Sequence, residues 1–238
     1  MIDIEKFVRA RLALYRAYDI RTKRPGRGKE GKLNCGPYLL ISREKGAGGG
    51  AVAQRAGRRL GWQVFNDELV DAIAKKANVR RELIESLDER DQATILETVA
   101  RLLRPRPIDK AGYRAHLREV LLTLGHQGDV IIVGRGAHYI LPRQFGLRVR
   151  MVAPVEVRAQ RIASREKLSL KAARSEIERS DRERARLASR DFGQSAADPL
   201  NYDVTINTAE LTLEAATELV LTALQQKLAV KLKGSGSA

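Results

Sequence analysis

Residues 42–51 read Ser-Arg-Glu-Lys-Gly-Ala-Gly-Gly-Gly-Ala, with glycine at 46, 48, 49 and 50. Glycine lets successive backbone N–H groups converge on one anion, and the amino end of a following helix adds a favourable dipole at the same place. Phosphate is the natural guest of such a nest, and Ser42, Arg43, Lys45, Gly46, Ala47, Gly48, Gly49 and Gly50 are the residues that would hold it. The loop departs from the standard pattern G-x-x-x-x-G-K-[ST]. With Gly46-Ala47-Gly48 standing for its Gly-x-Gly, Gly49 falls on the lysine and Gly50 on the residue after it. Arg43 and Lys45 are the candidates to supply the missing cation, and a plain surface role is the competing reading of Lys45.

A second concentration of chemistry lies in Glu178-Arg179-Ser180-Asp181-Arg182-Glu183-Arg184-Ala185-Arg186. Helical spacing places Arg179, Arg182, Glu183 and Arg186 on one face. Guanidinium groups arrayed there could offset charge on a transferring phosphoryl group; a solvated helix laced with i,i+4 ion pairs is the alternative. Arg135 follows the apolar run Val130–Val133 within Gly134-Arg135-Gly136, where its fork suits a phosphate or a base edge. Asp67 follows the apolar Trp62–Phe65 and reads equally as a base that orients an acceptor hydroxyl or as a helix cap. His116, His126 and His138 are scattered without ligand spacing, and the single Cys35 can form neither an internal disulfide nor a thiolate zinc site.

The elements that position these residues alternate between strand and helix. Strands are expected at 38–41, 62–65, 130–133, 147–153 and 204–206. Helices are expected at 52–60, 69–77, 82–87, 94–103, 113–127, 155–165, 169–188 and 211–231. Such alternation predicts an α/β fold with a parallel sheet, its ligands beyond the carboxyl ends of the strands. Ahead of it, residues 2–18 have helical amphipathic spacing, and 21–32 form a basic, Gly-rich linker. The helix either packs on its own domain or closes a homodimer. The expected divisions are 1–34, a main domain at 35–231 and a flexible tail at 232–238.

The 238 residues are 43% hydrophobic, without a run of roughly 18 apolar residues such as a membrane span needs. Met1-Ile2-Asp3-Ile4-Glu5-Lys6 is unlike a secretory signal, so a cytoplasmic location is expected. The formal charge of +15 calls for an anionic partner without separating nucleotide from nucleic acid.

Ile41-Ser42-Arg43-Glu44 followed by Gly46-x-Gly48-Gly49, then Val133-Gly134-Arg135-Gly136, an Arg-rich helix and Asn201-Tyr202-Asp203, resemble the cytidylate-kinase-like family of P-loop nucleoside monophosphate kinases. The likeness covers about residues 37–228. It implies a P-loop NTPase-type parallel five-stranded sheet covered by helices on both faces, a helical substrate-binding insert at about 66–127 and an Arg-rich lid at about 164–192. It also implies ATP-dependent phosphoryl transfer, with Mg²⁺, to a nucleotide or other small acceptor. Arg135 matches the arginine of a Gly-Arg-Asp motif that contacts the acceptor. Arg179, Arg182 and Arg186 match or neighbour arginines of the pattern Arg-Asp-x-x-Asp-x-x-Arg, with Glu183 on the same face as an acceptor-side residue. Two departures stand out: Gly136 occupies the place of that motif's aspartate, and Asn66-Asp67-Glu68 replaces the usual Asp-Thr/Ser-Gly-Ala-x-Tyr-Arg acceptor segment. With no hydroxyl in the loop's usual place, Ser42 and Glu44 are the nearest candidate ligands for the metal. The alternatives are a kinase-shaped nucleotide-binding sensor or partner protein without turnover, and a nucleic-acid binder. An aromatic content of 5% without a base-stacking motif argues against the last.

Overall fold

Tyr38-Leu39-Leu40-Ile41 and Val130-Ile131-Ile132-Val133 are apolar without interruption, as strands covered on both faces must be. The computed structural model describes residues 35–75 and 110–228, with 80, 81, 83, 84, 92 and 95. The expected helix 2–18, linker 21–32 and tail 232–238 lie outside these residues, as do most of the helices expected at 82–87 and 94–103. The strands are β1 (Tyr38–Arg43), β2 (Gln63–Phe65), β3 (Val130–Val133), β4 (Gly146–Val152) and β5 (Val204–Asn207). They form one sheet in the order β2-β3-β1-β4-β5. β1 runs parallel to both β3 and β4, and β4 parallel to β5. Ile41 faces Val133 and Arg43 faces Met151, so the carboxyl ends of β1, β3 and β4 lie level.

The helices among the described residues are α1 (Gly49–Leu60), α2 (Asp67–Lys75), α3 (Lys110–Gln127), α4 (Ala137–Ile140), α5 (Val155–Glu166), α6 (Leu170–Phe192) and α7 (Leu213–Leu228). The chain divides into two units, one comprising 37–64 with the chain from 129 onward, the other 65–128 with the residues up to 36. In the first, Leu39, Ile41, Ile131, Val133 and Val149 of the sheet share a core with Val52, Ala53 and Ala56 of α1 and Val220, Leu221 and Leu224 of α7. A separate small core of Ala159, Ile162, Ala173 and Ile177 joins α5 to α6. In the second unit α2 lies against α3, where Tyr113 donates to Asp71 at 2.7 Å and Arg80 pairs with Glu119 at 3.3 Å.

Several boundaries differ from expectation by a few residues, and two of them bear on the site. α1 starts at Gly49 rather than at Val52, because Gly48 caps it in the left-handed conformation and its buried face outweighs the low helix propensity of glycine. α6 runs on to Phe192 and stops at Gly193, another left-handed cap. Among the described residues no helix is long and apolar enough to cross a membrane.

Candidate active site

The chain leaves β1 toward one side of the sheet and β4 toward the other, and the crevice between such strands is where α/β sheets bind ligands. The loop 44–48 occupies this place. Its start is fixed by the Glu44 N–H, which donates to the Met151 carbonyl at 3.0 Å, and by a turn in which Ala47 N–H donates to Glu44 O at 3.2 Å. Gly46 and Gly48 hold φ of 87° and 82°, a region that side chains rarely enter. A Cβ on Gly46 would come within 2.9 Å of the Arg158 Cβ, and one on Gly48 would run into Leu213. α1 then opens without an acidic residue in its first turn and without a side-chain cap, so its first N–H groups and its dipole are left for an anion. Gly50 is exposed, and a side chain there would meet nothing within 4 Å.

Buried charge braces the loop from behind. Arg158 of α5, 5% exposed, donates to Ala153 O at 2.8 Å, to Lys45 O at 3.3 Å and to the Asp181 carboxylate of α6 at 2.7 Å. The Glu44 carboxylate lies 3.3 Å from Arg150 and 3.5 Å from Arg158. From the far side Thr208, fully buried just after β5, donates to Ala47 O at 3.1 Å and is itself held by Arg161 at 3.0 Å. Lys45 reaches Glu176 of α6 at 2.6 Å, and Glu176 also accepts from Arg179. Hydrogen bonds from Arg179 and then from Lys45 hold the Glu176 carboxyl at about 2, so it is ionised at neutral pH.

α6 therefore meets the glycine loop directly through Glu176 and, by way of Arg158, through Asp181. Arg179 pairs with Glu176 at 2.6 Å and with Glu183 at 2.7 Å, and Arg182 lies 3.7 Å from Glu178. Arg179, Arg182, Glu183 and Arg186 all stand on the exposed side of α6. The stretch expected as an Arg-rich lid is thus an ion-paired helix, which Glu176 ties to Lys45 of the loop and Asp181 to Arg158.

Arg135 sits half-buried at the end of β3 with φ 53°, within a turn closed by Ala137 N–H to Gly134 O at 3.2 Å. The departure at Gly136 has a local cause. Its φ is 65°, and a Cβ there would overlap the ring of Phe192, the last residue of α6. Phe192 stacks on Tyr139 at 4.7 Å, and Tyr139 on His138 at 3.9 Å. Burial, with Arg148 and Arg150 nearby, lowers His138 to about 3, so its imidazole is neutral. Asn201-Tyr202-Asp203 is tied into the fold: Asn201 donates to Ser195 O at 3.0 Å, Tyr202 to Ala196 O at 2.9 Å. Asp203 accepts from Arg148 at 2.8 Å and Lys227 at 2.7 Å. Burial pushes the Asp203 carboxyl up, but these donors outweigh it and bring the group down to about 2.

In the other unit Asp67 is the first residue of α2, and the cap is its neighbour: Asn66 Oδ1 accepts from Leu69 N–H at 2.9 Å. The capping alternative for Asp67 is thereby corrected. Glu44 fits poorly as a metal ligand, because two guanidinium groups already surround its carboxylate. Ser42, half-buried at the end of β1, is the other of the two candidates. Among the described residues no group of three His, Cys, Asp or Glu could hold a metal by itself. The two left-handed glycines and the uncapped start of α1 suit an anion better than a bare metal ion.

A central parallel strand that feeds a glycine nest at a helix amino end, in a sheet of order β2-β3-β1-β4-β5, defines an α/β fold of the P-loop kinase type. The chain belongs to the cytidylate kinase-like family, which its residues 39–210 match. A cytidylate kinase of Methanothermobacter thermautotrophicus is 35% identical over 100 residues, 42% of this chain and 60% of that protein. A cytidylate kinase of Halobacterium salinarum is 28% identical over 117 residues, 49% of this chain and 61% of that one. The matches thus span about three fifths of each relative. A solved protein from Eubacterium ventriosum shares the fold with a TM-score of 0.57 at 18% identity, covering 79% of this chain and 98% of its own.

Arg158, Thr208, Glu176 and Asp181 carry the loop's support and were not legible as site residues. Arg158 is one of 44 lysines and arginines, and only its burial distinguishes it.

Proposed function

We propose that this chain is an ATP-dependent phosphotransferase of the nucleoside monophosphate kinase type, moving a phosphoryl group to a nucleotide or other small acceptor. The observation that carries this reading is the nest at Gly46 and Gly48, opening α1 and joined to an arginine-bearing helix by the Lys45–Glu176 and Arg158–Asp181 pairs. Backbone N–H groups of residues 46–50 cradle the donor phosphates. Arg179 and Arg182, once the acids of α6 give them up, turn with Arg186 toward the transferring group and offset its developing charge. Arg135 and Glu183 serve the acceptor side, and Asp67 is the candidate to orient an acceptor hydroxyl. Such transfer needs positioning and charge rather than a nucleophilic side chain. Mg²⁺ bound to donor phosphates would neutralise charge there, with Ser42 as the nearest protein oxygen.

Cytidylate heads the list of acceptors by family, but Gly136 under Phe192 leaves no room for the aspartate of the family motif, so the acceptor need not be CMP. Binding without turnover is the second reading, favoured by the glycine at 49 where the loop lysine belongs. The two separate in one assay: ADP release from ATP and Mg²⁺ with CMP, dCMP, UMP, AMP, GMP and shikimate-like alcohols. Acceptor-dependent release supports the kinase and names its substrate, whereas ATP binding without release on any acceptor supports the sensor.

A further inference from the structure

In the standard phosphate loop the pattern G-x-x-x-x-G-K puts the first glycine six residues before the lysine. Placed on this chain with Gly48 as the second glycine, that first glycine falls on Arg43 and the lysine on Gly49. We propose that the two have exchanged places: Arg43 is the cation that faces the outer phosphates of the nucleotide, and Gly49 is glycine to let it pass. The inference rests on the phosphate-loop reading above and adds to it the residue that replaces the missing lysine.

Geometry ties the two positions together. A Cβ on Gly49 would lie 2.7 Å from the Arg43 Cβ, 3.2 Å from its Cγ and 3.3 Å from Ile41 Cγ2. The Cβ of Arg43 is fixed by the backbone and cannot swing aside. Gly49 is not among the residues with positive φ, so its backbone makes no demand for glycine and the neighbouring stem does. Arginine at 43 and a side chain at 49 therefore exclude each other, and the same exclusion accounts for glycine at the first place of the standard pattern.

The far end of Arg43 meets a second cleared position. A Cβ on Gly134 would overlap the Arg43 Nη1 and stand 3.2 Å from Cζ. The guanidinium therefore lies across the end of β3, level with the end of β1 and beside the turn that carries Arg135. Lys45, the loop's other cation, is directed toward α6, where Glu176 accepts from it at 2.6 Å. A guanidinium also suits the task, since its planar fork binds phosphate oxygens in pairs and stays charged at any working pH. From the strand end it spans the greater distance that a lysine in the helix's first turn would not need to cover.

The exchange predicts a reciprocal pattern in ATP titrations of the full chain with Mg²⁺. Arg43→Gly weakens ATP at least tenfold and AMP, which lacks the outer phosphates, less than twofold. Gly49→Lys alone collides with the Arg43 stem and lowers the melting temperature. The double variant R43G/G49K, which restores the first glycine and the lysine of the standard pattern, binds ATP at least fivefold tighter than R43G. Arg43→Met, which keeps the stem and removes only the guanidinium, reproduces the ATP loss and covers the case in which a glycine at the strand end disturbs folding. ATP affinity within twofold of wild type in both R43G and R43M, or a double variant no tighter than R43G, overturns the exchange while leaving the phosphate loop standing. A wild-type chain that binds no ATP removes the loop reading and this inference with it.

Discussion

Replacing Arg158 with methionine tests the brace behind the phosphate loop, and its cost can be worked from the contacts. Methionine keeps most of the stem that packs against Gly46 and deletes the guanidinium. Lost are the bonds to Ala153 O at 2.8 Å, Lys45 O at 3.3 Å and Asp181 at 2.7 Å, and the approach to Glu44 at 3.5 Å. Removing one partner of a buried ion pair costs about 3–5 kcal/mol when the other stays buried and bare. Here the partners are better placed. Asp181 keeps 31% of its side chain in water and has Arg184 at 3.8 Å, and Glu44 keeps 24% and has Arg150 at 3.3 Å. The expected loss is therefore about 2–3 kcal/mol, or about 4–12 °C in Tm for a chain of this size. Thermal unfolding followed by circular dichroism reads it directly. Asp181→Leu added to Arg158→Met should recover part of the loss, since the stranded carboxylate goes with it. A Tm for Arg158→Met within about 2 °C of wild type would refute the claim that this arginine holds the loop.

His138 makes stability depend on pH. Its folded pKa of about 3 lies below the usual 6.5, so between these values the unfolded chain holds the extra proton and stability falls as pH falls. Denaturation at stepped pH should show up to about 1.4 kcal/mol lost per unit over this window, and His138→Gln should flatten the slope; identical slopes contradict the assignment. Gly136→Asp should cost at least about 2 kcal/mol through left-handed strain and the clash with Phe192. Phe192→Ala should relieve the clash in the double variant, and a G136D variant as stable as wild type would show that the ring yields. Glu176→Gln should unfasten α6 from Lys45, seen as faster amide hydrogen exchange over residues 170–177. In the wild type that fastening is present above about 4.5, the ordinary glutamate value, and is lost only as pH falls from there through about 2. Equal exchange in wild type and variant counts against the latch.

Much of the sheet could be read from sequence because its signal is local. Tyr38–Ile41 and Val130–Val133 are short, continuous apolar runs, each leading into a glycine-bearing turn, and Ser169 caps α6 through its own hydroxyl, 3.2 Å from Ala172 N. The nest at 46–50 was legible for the same reason, since clustered glycines have few other uses. What could not be read depends on residues far apart in the chain. Gly49 and Gly136 stood out only as departures from a pattern; that Arg43 and Phe192 fill their places follows from packing across the fold. Lys45 was left between surface residue and loop cation because its partner, Glu176, is 131 positions away. α4, of four residues, is too short for any helical period to show.

The account stands on one claim, that residues 42–51 bind the phosphates of a nucleotide. Calorimetric titration of the full chain with ATP, ADP and AMP in Mg²⁺ tests it most directly. Saturable binding of one nucleotide per chain that strengthens from AMP to ATP, and that is lost in Gly48→Val, whose side chain would run into Leu213 at a left-handed position and force the loop out of shape, is the predicted result. No saturable binding of ATP, or ATP bound equally well by Gly48→Val, would contradict it.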